Sequence, residues 1–327
     1  MNEQPGTRMG RAALVVSAGV LVSRLLGLVR DVVLAGLVGN TSAGDVYEAA
    51  FLLPDYLFYL MAGGYLSITF IPILSGYLAV GDRRGGWEAL TAVARPVGTV
   101  MVVLTVAAMV AARPLVEAAF RGLPDLAGAG GARLSASQLD EVASLTRIVL
   151  PAQVFFVLGS LFMAVQYAHH RFLIPTLAPV VYNLGIIAGG LLGVGGRPAA
   201  GFVWGALAGA FVGNFALQVV GARRCGWRWE RGVPLGHPAL GQYLAMAVPL
   251  MAGQSVVVLD EQLTRVFGQL GEEGAIFALG RARRLNMLPV GMIAQAAGVA
   301  AYPFLARLAA EGRPAELSET VARAVRY

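Results

Sequence analysis

The sequence predicts an all-α, polytopic transmembrane helical bundle of about eight spanning helices plus the start of a ninth. Of its 327 residues, 57% are hydrophobic and only 13% are charged, whereas a soluble domain carries about 25% charged residues. The mean hydropathy is +0.67. The apolar runs are long enough to cross a bilayer as helices, and they lack the short alternating segments that are typical of membrane β-barrels.

Eight apolar runs carry the predicted spans. Their predicted bounds are 12–38, 46–79, 90–118, 141–168, 172–194, 198–222, 239–269 and 274–308. After the last run, residues 316–327 begin an amphipathic stretch with no span behind it. We expect this stretch to start a ninth helix, and the chain to be part of a longer membrane protein.

The connections between the runs alternate in charge. Basic residues occur before the first run and in the second, fourth, sixth and eighth connections, with four arginines between 223 and 231. The first connection has no basic residue, and the seventh is acidic, with Glu272 and Glu273. The positive-inside rule therefore predicts a cytoplasmic N-terminus. Eight crossings return Arg313 to the same side, so the helix count and the charge pattern agree.

Small residues recur at helical spacing in the sixth run. Gly205, Gly209 and Gly213 form a small-xxx-small pattern twice over. Such a pattern allows two helix backbones to approach closely. We interpret it as a packing surface and assign it no function.

The stretch SRLLGLVRD, residues 23–31, places three charges inside the first apolar run. Arg24, Gly27 and Asp31 lie at i, i+3 and i+7, on one stripe of a helix, and Arg30 lies about 120° from Arg24. The two arginines share a surface only if the stripe is broad or Gly27 bends the helix. Charges at bilayer depth usually face a protein interior or a wet cavity. The alternative is an interfacial segment whose charges lie among lipid headgroups.

Two further charged stretches interrupt apolar runs. In the seventh, Glu261 and Arg265 can pair at i, i+4, and Asp260 and Thr264 could offer oxygens to a cation such as Na⁺. The alternative is a neutralised pair near the outer end of that helix.

In the eighth run, GRARRL places Arg281 and Arg284 on one face at i, i+3. Arginines so close together are costly in lipid unless they line an aqueous space or meet phosphate. A position at the membrane interface is the alternative.

Taken together, the arginines of helices one and eight predict a cavity with surplus positive charge. The guanidinium fork donates two parallel hydrogen bonds, which suits a phosphate- or pyrophosphate-bearing substrate. No nucleophile–base pair and no metal-ligand spacing occurs in the sequence, so an enzyme is the least favoured class and no cofactor is expected. The basic residues lie between hydrophobic runs and are interpreted as topology signals, not as a nucleic-acid surface.

Several stretches resemble the MurJ/MviN family of lipid II flippases, within the wider superfamily of multidrug and oligosaccharidyl-lipid exporters. The stretches are SRLLGLVRD (23–31), GDVYEAAFLLPDYL (44–57), AGGYLSITFIPILSGY (62–77), HRFLIPTLAPVVYN (170–183) and LGRARRLNMLPVGMIAQAAGVAAYPFLA (279–306). The resemblance implies a fold of fourteen helices in two six-helix lobes plus two more. This chain would then hold a six-helix N-terminal lobe over 1–222 and an incomplete second lobe over 239–327.

The resemblance also implies roles for individual residues. Arg24 and Arg30 look like the family's cavity arginines, Asp45 like their acidic partner, and Arg284 like the arginine of helix eight. Together they would bind the pyrophosphate of lipid II, or of a similar polyprenyl-pyrophosphate saccharide, in a protein that alternates between inward- and outward-open states. Asp260 is similar in position to a cation ligand of some members. A role in peptidoglycan synthesis in the bacterial inner membrane is implied.

The sequence departs from the family pattern in the second run. Phe58, Tyr59 and Gly63 stand where the family often has two arginines and a glutamate, and Asp55 where asparagine is usual. Arg281 or Arg283 could then supply the missing positive charge. The alternatives are a cation-coupled exporter of another polyprenyl-linked saccharide or of drugs, and a non-transporting membrane scaffold. Na⁺ or the membrane potential would provide the driving force for transport.

Overall fold

The computed structural model describes residues 5–61, 65–128, 134–193 and 196–287, together with Glu316, Ser318, Thr320 and Ala322. Every regular element in these ranges is helical, which confirms the all-α prediction. The four separate residues near the end of the chain have helical backbone where the ninth helix is predicted. Gly63 and residues 288–308 of the predicted eighth helix lie outside the described residues.

The helices follow one another with short connections. In chain order they are α1 (Pro5–Leu37), α2 (Ser42–Ala50), α3 (Leu52–Leu60), α4 (Tyr65–Ala79), α5 (Arg83–Val110), α6 (Ala112–Glu117), α7 (Leu123–Leu126), α8 (Ala136–Val149), α9 (Ala152–Ala168), α10 (Leu173–Leu192), α11 (Pro198–Gly209), α12 (Leu217–Arg224), α13 (Pro238–Gly268) and α14 (275–287). Two π-helical stretches, Ala118–Gly122 and Ala210–Ala216, continue α6 and α11 without a loop.

Several predicted spans are divided into shorter helices. The second span consists of α2, α3 and α4, and the fourth is divided into α8 and α9 at Leu150 and Pro151. Proline has no backbone N–H and is tolerated in the first turn of a helix. Pro54 in the first turn of α3 and Pro151 before α9 therefore mark the points where a new helix starts.

Five segments among the described residues are long and apolar enough to cross a membrane: Arg83–Val110, Ala136–Ala168, Leu173–Leu192, Pro198–Arg224 and Pro238–Gly268. The chain is therefore a multi-pass membrane protein. The count of eight spans, and the division into lobes over 1–222 and 239–327, stay predictions. Met1–Phe277 form one compact unit, and Ala278–Tyr327 form a second.

Two apolar cores stabilise the first unit. One lies among α1, α2, α6, α8 and α11, and contains Tyr47, Leu139 and Phe202. The other lies among α3, α4, α5, α9 and α13, and contains Phe70 and Tyr243. Helix α10 packs between α1 and α11.

Helices α10 and α11 approach closely through glycines. A Cβ on Gly185 of α10 would lie 2.8 Å from both the carbonyl oxygen of Gly205 and the Cα of Gly209. A Cβ on Gly213 would lie 2.7 Å from the carbonyl oxygen of Ala178. Separations this short leave no room for a methyl group, so the predicted packing role of Gly205, Gly209 and Gly213 is confirmed.

This contact makes a testable prediction about Gly185. We expect Gly185→Ala to lower the unfolding free energy by about 1–3 kcal/mol, because an extra methyl in a filled interface forces the backbones apart. The matched control is Gly253→Ala in α13, where an added Cβ would meet nothing within 4 Å. That change should be neutral, or stabilising by up to about 1 kcal/mol. Thermal unfolding of both variants in detergent measures the difference, and equal midpoints would contradict the close packing.

Candidate functional site

Arg30 is fixed by a network that joins α1 to α10. Its Nε and Nη2 donate to Oδ1 of Asp31 at 3.1 and 2.9 Å, and its Nη1 donates to Oδ1 of Asn183 at 3.0 Å. Asn183 is buried in α10, and its Nδ2 donates to the carbonyl oxygen of Ser23 at 3.3 Å. The Arg30 and Asp31 side chains are 19% and 21% exposed. A charge inside an apolar helix is thus neutralised and held, yet stays partly accessible.

The helical positions show how the two predicted arginines are arranged. Ser23 and Arg30 lie within about 20° of one face of α1, by the 3.6-residue turn, and both contact α10 through Asn183. Arg24 and Asp31 are each one residue further along, so their stripe lies about 100° away. The Arg30 side chain reaches Asp31 on that stripe. Arg24 is half-buried, and a shared binding surface for Arg24 and Arg30 stays a prediction.

The middle of the stripe faces open space. Gly27 lies between Arg24 and Asp31, and an added Cβ there would meet nothing within 4 Å. Helix α1 is continuous through Gly27, so no break in the helix brings Arg24 and Arg30 onto one surface. A charged stripe beside open space can face a ligand.

Asp45 accepts hydrogen bonds from the start of α14. Its Oδ2 accepts from the backbone N–H of Gly274 at 2.7 Å, and its Oδ1 accepts from that of Phe277 at 2.9 Å. In return, Oε1 of Glu273 accepts from the N–H of Ser42 at the start of α2, at 2.9 Å. Each helix N-terminus is therefore satisfied by a carboxylate from the other segment, which matches the preference of N-termini for negative charge. The predicted partnership of Asp45 with the arginines of α1 stays a prediction.

Asp260 and Thr264, the residues of the predicted cation site, lie one turn apart on α13. Thr264 Oγ1 donates to the backbone carbonyl of Asp260 at 2.8 Å, while the residue Asp260 is exposed. Among the described residues, no cluster of three or more His, Cys, Asp or Glu could hold a metal ion. A joint role of Asp260 and Thr264 in binding a cation stays a prediction.

The predicted pair of Glu261 and Arg265 is confirmed, with Nη2 and Oε1 2.9 Å apart. Arg265 Nη2 also lies 2.8 Å from Oδ2 of Asp55 in α3, and its Nη1 donates to Oε1 of Gln262 at 3.1 Å. The Arg265 side chain is only 6% exposed. The sequence marked Asp55 as unusual, but it gave no sign that α3 and α13 meet at this residue.

Arg281 and Arg284 lie on α14, in the second unit, and both are half-buried. They are one helical turn apart and share a face, as their spacing predicts. Their place in a common site with Arg24 and Arg30 stays a prediction.

The fold defines a polytopic helical membrane protein with charged side chains inside its apolar bundle. A solved structure titled "Lipid II flippase MurJ, inward closed conformation" matches with a TM-score of 0.67 and 20% identity, over 85% of this chain and 55% of the other. A transporter of the MOP superfamily from Pyrococcus furiosus matches with a TM-score of 0.63 and 15% identity, over 99% and 69% of the two chains. These likenesses concern the fold.

The chain belongs to the lipid II flippase MurJ family, whose model matches residues 34–327. It is 28% identical over 308 residues to a lipid II flippase MurJ of Burkholderia cenocepacia, with coverage of 91% of this chain and 57% of the relative. It is also 28% identical over 312 residues to a probable lipid II flippase MurJ of Vibrio cholerae, with coverage of 92% and 57%. The chain therefore spans little more than half the length of these relatives.

The contacts of Asp45 predict a structural effect of its removal. We expect Asp45→Ala to lower the unfolding free energy by about 3 kcal/mol, since hydrogen bonds to a charged group contribute about 1.5–3 kcal/mol each. Asp45→Asn should lie between Asp45→Ala and the wild type, because it keeps one acceptor oxygen. Thermal unfolding in detergent provides the measurement.

The matched control for Asp45 is Glu272→Ala, an exposed carboxylate in the turn before α14. Its removal should change stability by less than about 0.5 kcal/mol. If Asp45→Ala were as stable as this control and still inactive, its carboxylate would act on the substrate and not on α14.

Proposed function

We propose that the protein acts as a flippase for lipid II, or for a similar polyprenyl-pyrophosphate saccharide, and moves it from the inner to the outer leaflet. The observation that carries the proposal is the Arg30 guanidinium, half-buried in an apolar helix and held by Asp31 and Asn183. A charge maintained at such a position at this cost is usually functional in membrane proteins.

Pyrophosphate is the ligand that best fits the chemistry of this stripe. Arg30 is paired with Asp31. On the family resemblance, we propose Arg24 and Arg284 as further residues that bind the anion, with Arg281 as an additional candidate. A diphosphate would also compete with Asp31 for the Nε and Nη2 of Arg30. Since both side chains are about one-fifth exposed, such an exchange of partners needs no large opening of the helix pair. Bidentate guanidinium–phosphate pairs are among the stronger hydrogen-bonded contacts in proteins.

In this proposal, transport follows alternating access. The saccharide headgroup enters from the cytoplasmic side, and the polyprenyl tail stays among membrane lipids. Rocking of two lobes around the arginine site then exposes the headgroup to the other side. A membrane potential supplies about 2.3 kcal/mol per charge for each 100 mV, so the net charge of the site couples to it. Na⁺ at Asp260 and Thr264 is the other candidate driving force.

The proposed setting is the bacterial inner membrane, with a cytoplasmic N-terminus and a role in cell-wall synthesis. The protein would act on its substrate by transport and not by catalysis. We propose that it contacts membrane lipids and has no nucleic-acid partner.

A second candidate is a cation-coupled exporter of a different polyprenyl-linked saccharide or of drugs. It is favoured by the aromatic cluster at the position where the family often has arginines. The Phe58 ring lies 5.5 Å from that of Phe156, which lies 5.3 Å from that of Tyr182. Protection assays with lipid II and with other lipid-linked saccharides distinguish the two candidates. A scaffold would protect none of them.

Loss of the arginines tests the proposed mechanism. We expect Arg24→Ala and Arg284→Ala to abolish complementation of a flippase-depleted strain. Loss of one charged hydrogen-bonding group should reduce transport in liposomes about tenfold or more. Arg84→Ala, which removes an exposed arginine at the start of α5, is the matched control and should complement. Membrane fractions must contain equal amounts of each protein, and normal growth of both test variants would count against an arginine-lined site.

The open face of α1 can be tested with a bulky side chain. We expect Gly27→Trp to block transport while the protein still inserts and folds, because an indole would fill the space between Arg24 and Asp31. Gly36→Trp is the matched control, since Gly36 also has nothing within 4 Å of an added Cβ. Nine residues along α1, it lies on the opposite side of the helix. Equal transport by the two variants would show that the stripe does not face the substrate.

A further inference from the structure

A separate groove lies on the side of the first unit, between α5, α9 and α12. Its volume is about 820 Å³, within the range of about 300–1,000 Å³ that is typical of small-molecule sites. Most of the lining is apolar, including Val102, Leu158 and Phe215. Within the part of the chain that the structure describes, the lining comes from α5, α9, the second π-helical stretch, α12 and the segment after α12.

The polar part of the lining is concentrated at one end. Arg223, Trp227 and Trp229 follow one another around the end of α12, and Arg95 lies about 10 Å before Val102 along α5. Arg95 Nη1 donates to the carbonyl oxygen of Val233 at 3.2 Å, which places Arg95 beside the same segment. The groove therefore has a basic, tryptophan-rich end and an apolar remainder.

The segment after α12 is held against the bundle. The backbone N–H of Glu230 donates to Thr91 Oγ1 of α5 at 3.3 Å. The ring of Trp227 lies 4.7 Å from that of Phe162 in α9, and the Trp229 ring lies 6.2 Å from that of Trp227. These contacts keep both indoles at the end of the groove, so the site is already formed without a ligand.

Hydrogen-bond donors at this end have unused capacity. Across the described ranges, neither Arg95 nor Arg223 forms a salt bridge, and Arg223 is exposed. The buried Nε1 of Trp227 has no hydrogen-bond partner among the same residues. Tryptophan is enriched at the membrane–water interface, and arginines near the cytoplasmic surface attract anionic lipids. Two cations without a carboxylate partner, flanked by tryptophan rings, form a site for a phosphate ester.

We propose that this groove binds one anionic phospholipid of the surrounding membrane. Its phosphate lies between Arg95 and Arg223, near Trp227, and an acyl chain lies along Val102, Leu158 and Phe215. The charge and the apolar length of the groove match the two parts of such a lipid. Because the site shares no residue with the α1 stripe, the proposal is independent of what the protein transports.

Native mass spectrometry of the purified protein tests this proposal. The protein is released in the spectrometer from detergent micelles that contain either phosphatidylglycerol or phosphatidylcholine, and the lipid that stays bound is measured. We expect phosphatidylglycerol to be retained about tenfold more strongly, and Arg95→Gln/Arg223→Gln to remove the preference. The matched control is Arg224→Gln/Arg228→Gln, which removes the same charge from exposed residues that do not line the groove. If the double variant does not fold, Arg223→Gln alone serves, since Arg223 forms no ion pair within the described residues.

Filling the groove gives a second measurement. Thr99→Phe should reduce retention of both lipids at least threefold, whereas Val106→Phe, exposed on the same helix and outside the groove, should not. Equal retention of the two lipids by the wild type would overturn the proposal in favour of non-specific annular lipid. If lipid II displaced the bound phosphatidylglycerol, and Thr99→Phe abolished that displacement, the groove would be assigned to the substrate instead. No retention by the wild type would mean that protein covers the groove.

Discussion

The structure depends on one constraint: a charge inside an apolar bundle must find its partners within the protein. Arg265 is the clearest case. Its side chain is 6% exposed and is matched by Asp55 of α3 and by Glu261 on its own helix. Removing one partner from a buried ion pair typically costs about 3–5 kcal/mol. The packing of α3 against α13 and the charge of Arg265 are therefore mutually dependent, and any motion that separates these helices must break or exchange this pair.

The same constraint separates structural charges from available ones. Arg265 is enclosed by two carboxylates, so it has little capacity left for a ligand. Arg30 has one carboxylate partner and is about three times more exposed than Arg265. Asp45 gives both of its oxygens to backbone N–H groups at the start of α14. Arg30 is thus the charge that can exchange partners, whereas Arg265 and Asp45 hold helices together. Whether a charged residue can bind a ligand is thus decided by its burial and by the partners around it.

Local spacing made part of this arrangement predictable from the sequence. The pairing of Glu261 with Arg265 and the close packing at Gly205 and Gly209 follow from helical periodicity, which relates residues three or four apart. The partners of Arg30 and Arg265 in other helices cannot be predicted from this periodicity. Asn183 lies 153 residues from Arg30, and periodicity states which face a residue occupies without stating what lies opposite.

The breaks within the predicted spans were missed for a related reason. Hydropathy over a long window does not distinguish one helix from two that are joined without a polar loop. The apolar sequence around Phe51 continues from α2 into α3, and that around Pro151 continues from α8 into α9. The prolines beside these junctions were visible, but interior prolines also occur in bent, continuous helices.

The position of Arg30 also depends on the glycines that set the spacing between α10 and α11. Asn183 and Gly185 lie on nearly opposite sides of α10, about 200° apart. Gly185 contacts the backbone of α11, and Asn183 contacts Ser23 and Arg30 of α1.

The contact between α10 and α1 continues one step further along. Thr176, seven residues before Asn183, packs against Gly19 on the same face of α1. Because α10 lies between two helices at near-minimal separation, a methyl group at its α11 face would displace it toward α1 and change the spacing at Arg30. The small residues of α10 and α11 therefore set the geometry that the guanidinium of α1 requires.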